Sequence, residues 1–181
     1  MKIDLKSFKE TTPRLHPTNV SSEIAVDPDQ MVKASFFVTL SEEMPGFQPV
    51  KSPRSCRDLL YEETCFEVFI SQDESYLEWN VATNGDWHGY FYRKYRESGV
   101  FDVSGFQPLA FEVNVLENRL QSSMVFSLRS LENLMIVNTR QVSVQCCFIY
   151  RNDFGVSYWA PRHCHKDKPD FHDLRGFLKY N

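Results

Sequence analysis

The 181-residue chain is long enough to bury a sizeable core, and with 42% hydrophobic and 24% charged residues it has a globular composition. A net charge of −4 argues against nucleic acid and anionic membranes as general partners, and no apolar run approaches the roughly 20 residues that span a bilayer. The five cysteines are odd in number and form no Cys-x-x-Cys pair, which fits reduced thiols; with an N-terminus that lacks a signal-peptide core, this predicts a cytoplasmic location.

In chain order, most segments read as strands. Residues 32–40 place Val32, Ala34, Phe36, Val38 and Leu40 on one face, and residues 65–71 place Phe66, Val68 and Ile70 opposite Glu67. Glu67 faces away from its apolar neighbours, so solvent exposure is its default; a buried Glu67 needs a partner such as Arg96 or Arg162. Residues 41–57, with three prolines and a glycine, read as an irregular connection, followed by a short helical turn near Asp58. Residues 109–115 and 120–128 alternate with period two around a turn at Asn118-Arg119, and a short helical turn follows near Leu128. Residues 142–150 and 155–160 form a further hairpin, and residues 161–173 form an irregular tail. Eight to ten hairpin-linked strands in a single domain over residues 1–181 predict an all-β antiparallel fold. A two-sheet β-sandwich or jelly roll is expected first, a closed barrel second.

The hairpin over residues 76–92, with Asn84-Gly85 at its tip, is the first candidate site. A two-residue turn there puts Glu78, Asn80, Trp87, Gly89, Phe91, Arg93 and Tyr95 on one face, and leaves Leu77, Trp79, Val81, Tyr90 and Tyr92 for the core. Gly89 opposite Asn80 suggests close approach by a ligand. Carboxylate, amide, guanidinium and aromatic groups on one face suit a sugar, whose hydroxyls need hydrogen bonds and whose C–H faces stack on rings.

The second candidate lies in the tail, where His163, Cys164, His165, Asp170, His172 and Asp173 are residue types that ligate metals. Their spacing matches no ordinary zinc motif, and the bland alternative is a surface loop held by its own hydrogen bonds. Scattered carboxylates leave a hard cation open as well, without an EF-hand-like loop. Enzyme signatures are thin. The carboxylates at Glu62, Glu63, Glu67, Glu78 and Asp170 admit a glycosidase-like pair, and His163 or His172 a general base.

The runs at residues 63–69, 76–80, 85–87, 90–96, 156–160 and 169–172, with His163, resemble the DOMON-like proteins, a group allied to family 9 carbohydrate-binding modules. The resemblance covers residues 32–178 in the same order. It implies a β-sandwich, and a site that clamps sugars between tryptophans beside charged and amide groups, or binds haem through a Met and a His. Carried onto this chain, it makes Trp87 and Trp159 the aromatic candidates. Glu67, Glu78, Asn80 and Arg96 become the polar candidates, joined by His163, Asp170 and His172 from the tail.

The leading expectation is therefore a cytosolic, non-catalytic binding domain for a saccharide or similar small polar ligand. It requires Trp87 or Trp159 to be exposed beside Glu78, Asn80 and Arg96. A metal-dependent or acid–base enzyme requires His163, Asp170 and His172 to converge on one point. A protein-interaction domain without a small ligand is the third reading. Cofactor, metal and oligomeric state are not specified by these residues.

Overall fold

The computed structural model describes residues 1–9, 17–41, 47–98 and 103–180. Alternating apolar and polar residues produce the strands, as period two demands of a chain with one dry face. They are β1 (Lys2–Ser7), β2 (Pro17–Val26), β3 (Met31–Leu40), β4 (Cys65–Gln72), β5 (Ser75–Ala82) and β6 (Trp87–Lys94). These are followed by β7 (Glu97–Ser98), β8 (Ala110–Leu116), β9 (Arg119–Ser127), β10 (Ser143–Asn152), β11 (Gly155–Ala160) and β12 (Leu178–Lys179). The remaining regular segments are single 3-10 turns, two of them at Leu60–Glu62 and Arg129–Leu131, where the short helical turns were expected.

The order β7-β6-β5-β4-β10-β11-β1-β2-β3-β9-β8 folds into two antiparallel sheets that share β1. Residues Lys2 to Leu5 pair with β2, whereas Lys6 and Ser7 pair with Ala160 and Trp159 of β11. The two sheets thus form a sandwich joined along one side by a single strand. Their inner faces interlock through large rings, with Phe36 of β3 against Phe66 of β4 at 5.0 Å and Trp79 of β5 stacked on Phe126 of β9 at 4.8 Å. Along the other side runs the connection before β4. Its Val50 bridges Val113 of β8, and its Cys56 bridges Trp87 of β6, so it straps one sheet edge to the other. The Pro45-Gly46 part of that connection lies outside the described residues.

Two turns are shifted from the expected register. Leu116 pairs with Arg119, so the turn is Glu117-Asn118 rather than Asn118-Arg119. More consequentially, Val81 pairs with Trp87 and Glu78 with Tyr90, so the hairpin tip is the three-residue loop Thr83-Asn84-Gly85, with Gly85 at φ +94°. That is the loop in which glycine supplies the left-handed residue. A one-residue slip exchanges the faces of the whole β6 strand. Trp87 and Phe91 therefore turn into the core, and His88, Tyr90 and Tyr92 turn outward with Glu78 and Asn80.

Candidate functional site

The outer face of the β6-β5-β4-β10-β11 sheet carries a cavity of about 450 Å³. Its floor is made of residues that alternate with the core: Glu67 from β4, Glu78 from β5, Tyr90 and Tyr92 from β6, Ile149 from β10 and Tyr158 from β11. One wall is Asp58, Leu59 and Tyr61, and the other is Arg96 with Pro169, Phe171 and His172 of the C-terminal segment. Segments 58–61 and 161–177 flank this face because each inserts apolar side chains into it. Leu60 packs with Cys65 and Ala82, and Phe171 and Phe177 pack with Phe69, Tyr76, Cys147 and Ile149.

The two glutamates sit deep on the floor. Glu67 is 3% exposed and Glu78 4%, so of the two placements open to Glu67 the structure has the buried one. Neither has a lysine or arginine partner among the described residues; Arg96 pairs instead with Asp170 at 3.0 Å, and Arg162 is exposed. Burial raises the Glu78 carboxyl to about 7, although Asn80, Tyr92 and Arg96 each favour its ionised form. Burial, with repulsion from Glu78, holds Glu67 well above the usual carboxylate range. Asn80 and the Tyr92 hydroxyl lie close enough to Glu78 to favour its carboxylate, but no contact to Glu78 Oε2 or to the Asn80 amide atoms has good hydrogen-bond geometry within the described residues. Asn80 is fully buried in the cross-strand row Glu67–Asn80–His88.

The wall formed by the C-terminal segment is held by Asp170. Its Oδ2 accepts from Tyr95 at 2.6 Å, and its Oδ1 accepts from Arg96 at 3.0 Å and from the His172 backbone amide at 3.1 Å. Burial works against this carboxylate, but those donors more than offset it and its pKa lies below the ordinary value. The Tyr76 hydroxyl accepts the Arg96 backbone N–H at 3.1 Å and lies 2.9 Å from His172 Nδ1. The hydroxyl keeps both a proton and a second lone pair for Nδ1, so this contact joins the two side chains in either tautomer of the His172 ring. Burial and Arg96 act in the same sense, lowering His172 to about 4. Its Nδ1 is 3.9 Å from Glu78 Oε2.

The structure thus gathers five expected residues, Glu67, Glu78, Arg96, Asp170 and His172, at or beside one cavity, with Asn80 beneath. It sends the other three elsewhere. Trp87 and Trp159 are 5% and 7% exposed in the core between the sheets, and Trp159 Nε1 donates to Ser157 at 3.1 Å. Neither tryptophan can face a ligand on the outer surface. His163 bonds the Lys6 carbonyl at 2.8 Å and packs edge-on against Phe8, so it fastens β1 rather than meeting Asp170 and His172. The convergence required by an enzyme centred on the tail does not occur, and the described residues hold no cluster of three metal-ligating side chains. Gly89 faces Trp79 and admits Phe106, not a ligand: a Cβ there would lie 1.9 Å from the Phe106 ring.

The residues missed are Tyr61, Tyr90, Tyr92, Tyr158 and Asp58. Tyr90 and Tyr92 were assigned to the core by the two-residue turn. Their signal was the partner alternation Trp87, Gly89, Phe91, whose glycine fits a crowded interior better than an open face.

No protein-family model matches the chain, and no curated protein matches it in sequence. Among solved structures, it resembles a "putative carbohydrate-binding protein" from Bacteroides uniformis, with a TM-score of 0.58 and 16% identity, covering 98% of this chain and 85% of that one. The likeness is one of fold.

Proposed function

We propose that the chain is a non-catalytic binding domain, acting in the cytoplasm, that holds a saccharide or similar small polar ligand in the cavity above Glu67 and Glu78. The observation that carries this reading is the combination of a concave, ring-lined space of about 450 Å³ with buried polar atoms that have no contact of good hydrogen-bond geometry within the described residues. Small-ligand sites have this composition: mostly aromatic or apolar walls and a few convergent polar groups. Glu78 would take sugar hydroxyls with Asn80 supporting it from beneath, Arg96 and Asp58 would contact the ligand at the rim, and Tyr90, Tyr92 and Tyr158 would offer ring faces and hydroxyls. Tyrosines therefore take the role that the DOMON-like resemblance gave to tryptophans. That resemblance, and the carbohydrate-binding description of the structural neighbour, favour a sugar over other polar ligands.

The test is thermal denaturation against a panel of mono- and oligosaccharides. A ligand at about 100 times its dissociation constant stabilises the native state by about 2.7 kcal/mol, a rise of roughly 5–10 °C for a chain of this size. The rise is expected to shrink by more than half in Glu78→Gln. A protein-interaction domain would show no rise with any sugar.

A further inference from the structure

We infer that the ligand carries a primary ammonium group, seated between Glu78 and Glu67 beneath the rings of Tyr90 and Tyr92. The inference rests on reading the cavity as a ligand site, and it names the ligand class more closely: an amino sugar rather than a neutral one. The floor presents two buried carboxyl groups, and neither has a lysine or arginine partner among the described residues. Arg96 already pairs with Asp170, whose side chain is fully buried, at 3.0 Å. His172 is the single basic side chain within 4.0 Å of Glu78 among the described residues, and burial beside Arg96 disfavours its charged form. Asp58 adds a third acid at the rim, bonded to Tyr90.

A neutral polyol brings hydroxyl donors to such a floor but no charge. An ammonium brings three donors and a charge that favours the ionised carboxylate, and hydrogen bonds between ionised partners are about twice as strong as neutral ones. The faces of Tyr90 and Tyr92 add cation–π attraction in a desolvated site. An independent sign of an absent partner is Glu78 Oε2, buried at the cavity and without a hydrogen bond among the described residues.

A proton accompanies the ligand's charge. Glu78 is faced by Glu67 and Cys65 from β4, Tyr90 and Tyr92 from β6, and Cys147 from β10. Arg96, His172 and Tyr61 face it from the walls. In this surrounding Glu78, raised to about 7, is mostly protonated when the cavity is empty at pH 6. Seating an ammonium ionises it, and the carboxyl proton leaves to solvent; no covalent bond to the ligand forms.

The experiment is titration calorimetry at pH 6 in two buffers of different ionisation enthalpy. The probes are glucosamine and galactosamine, their neutral parent hexoses, and ethanolamine as an amine without a ring. The expected result is at least about tenfold tighter binding of an amino sugar than of its neutral parent, with release of close to one proton. In Glu78→Gln the ratio should fall towards one; should that variant misfold, the wild-type ratio and proton release decide alone. Equal or tighter binding of the neutral hexose, or no proton release, overturns the ammonium and leaves the saccharide reading intact. Ethanolamine binding as tightly as the amino sugars overturns the saccharide reading and keeps the ammonium. Failure of all probes to bind overturns both.

Discussion

A methyl group at Gly89 would have to share space with Phe106, whose Cγ, Cδ1 and Cβ lie 1.9, 2.1 and 2.2 Å from where that carbon would be. Phe106 is itself fully buried and tilted against Trp79 at 5.5 Å, so it has no free direction in which to yield. Gly89→Ala is therefore expected to destabilise the fold by about 2–3 kcal/mol, read as a lower urea midpoint with an unchanged slope. If Gly89 instead faced the ligand, the same change would alter affinity and leave stability alone. At Glu78 the cost is electrostatic instead: burial disfavours its carboxylate, and Asn80, Tyr92 and Arg96 offset only part of that penalty.

At the scale of elements, the C-terminal segment after β11 is a wall that one residue organises. Asp170 collects Tyr95, Arg96 and the His172 amide, joining this segment to the turn after β6. Asp170→Ala removes all three bonds and frees the Arg96 guanidinium from its buried partner. A stability loss of about 2–4 kcal/mol is expected. Faster proteolysis within residues 161–177 and weaker ligand binding should accompany it, as limited digestion and calorimetry would show. Strand content was legible where period two is clean: β3, β4, β8 and β9 present the apolar faces that their residues announce. The face of β6 was not legible, because Trp87-His-Gly-Tyr-Phe-Tyr92 offers aromatic residues to both sides, and only the loop length decides between them. β1 is hidden for a different reason: Lys2-Ile3-Asp4-Leu5 alternates over only two apolar positions, too short a run to announce a strand. The candidate carboxylates were recognisable as residue types. Their burial was not, since it depends on segments 58–61 and 161–177 crossing the sheet, and no local pattern encodes that crossing.

For the molecule as a whole, the two faces of one sheet divide the work. The inner face of β4, β5, β6 and β10 packs against β2, β3 and β9 to form the main core, into which both Trp87 and Trp159 are drawn. The outer face is freed from that duty, and with its flanking segments it holds the polar cavity. The sandwich is closed along one side by the shared strand β1 and along the other by the strap through Val50 and Cys56, so the cavity floor is a rigid sheet rather than a set of loops. A floor of this kind holds its groups in place before the ligand arrives, which lowers the ordering cost of binding. The most direct check on this account is heteronuclear NMR of the protein titrated with the saccharide that gives the largest thermal shift. Perturbations concentrated at Glu67, Glu78, Tyr90, Tyr92, Arg96 and His172 are predicted. Perturbations confined to the β2–β3–β9–β8 sheet, with the outer face of β4–β6 unmoved, would contradict it.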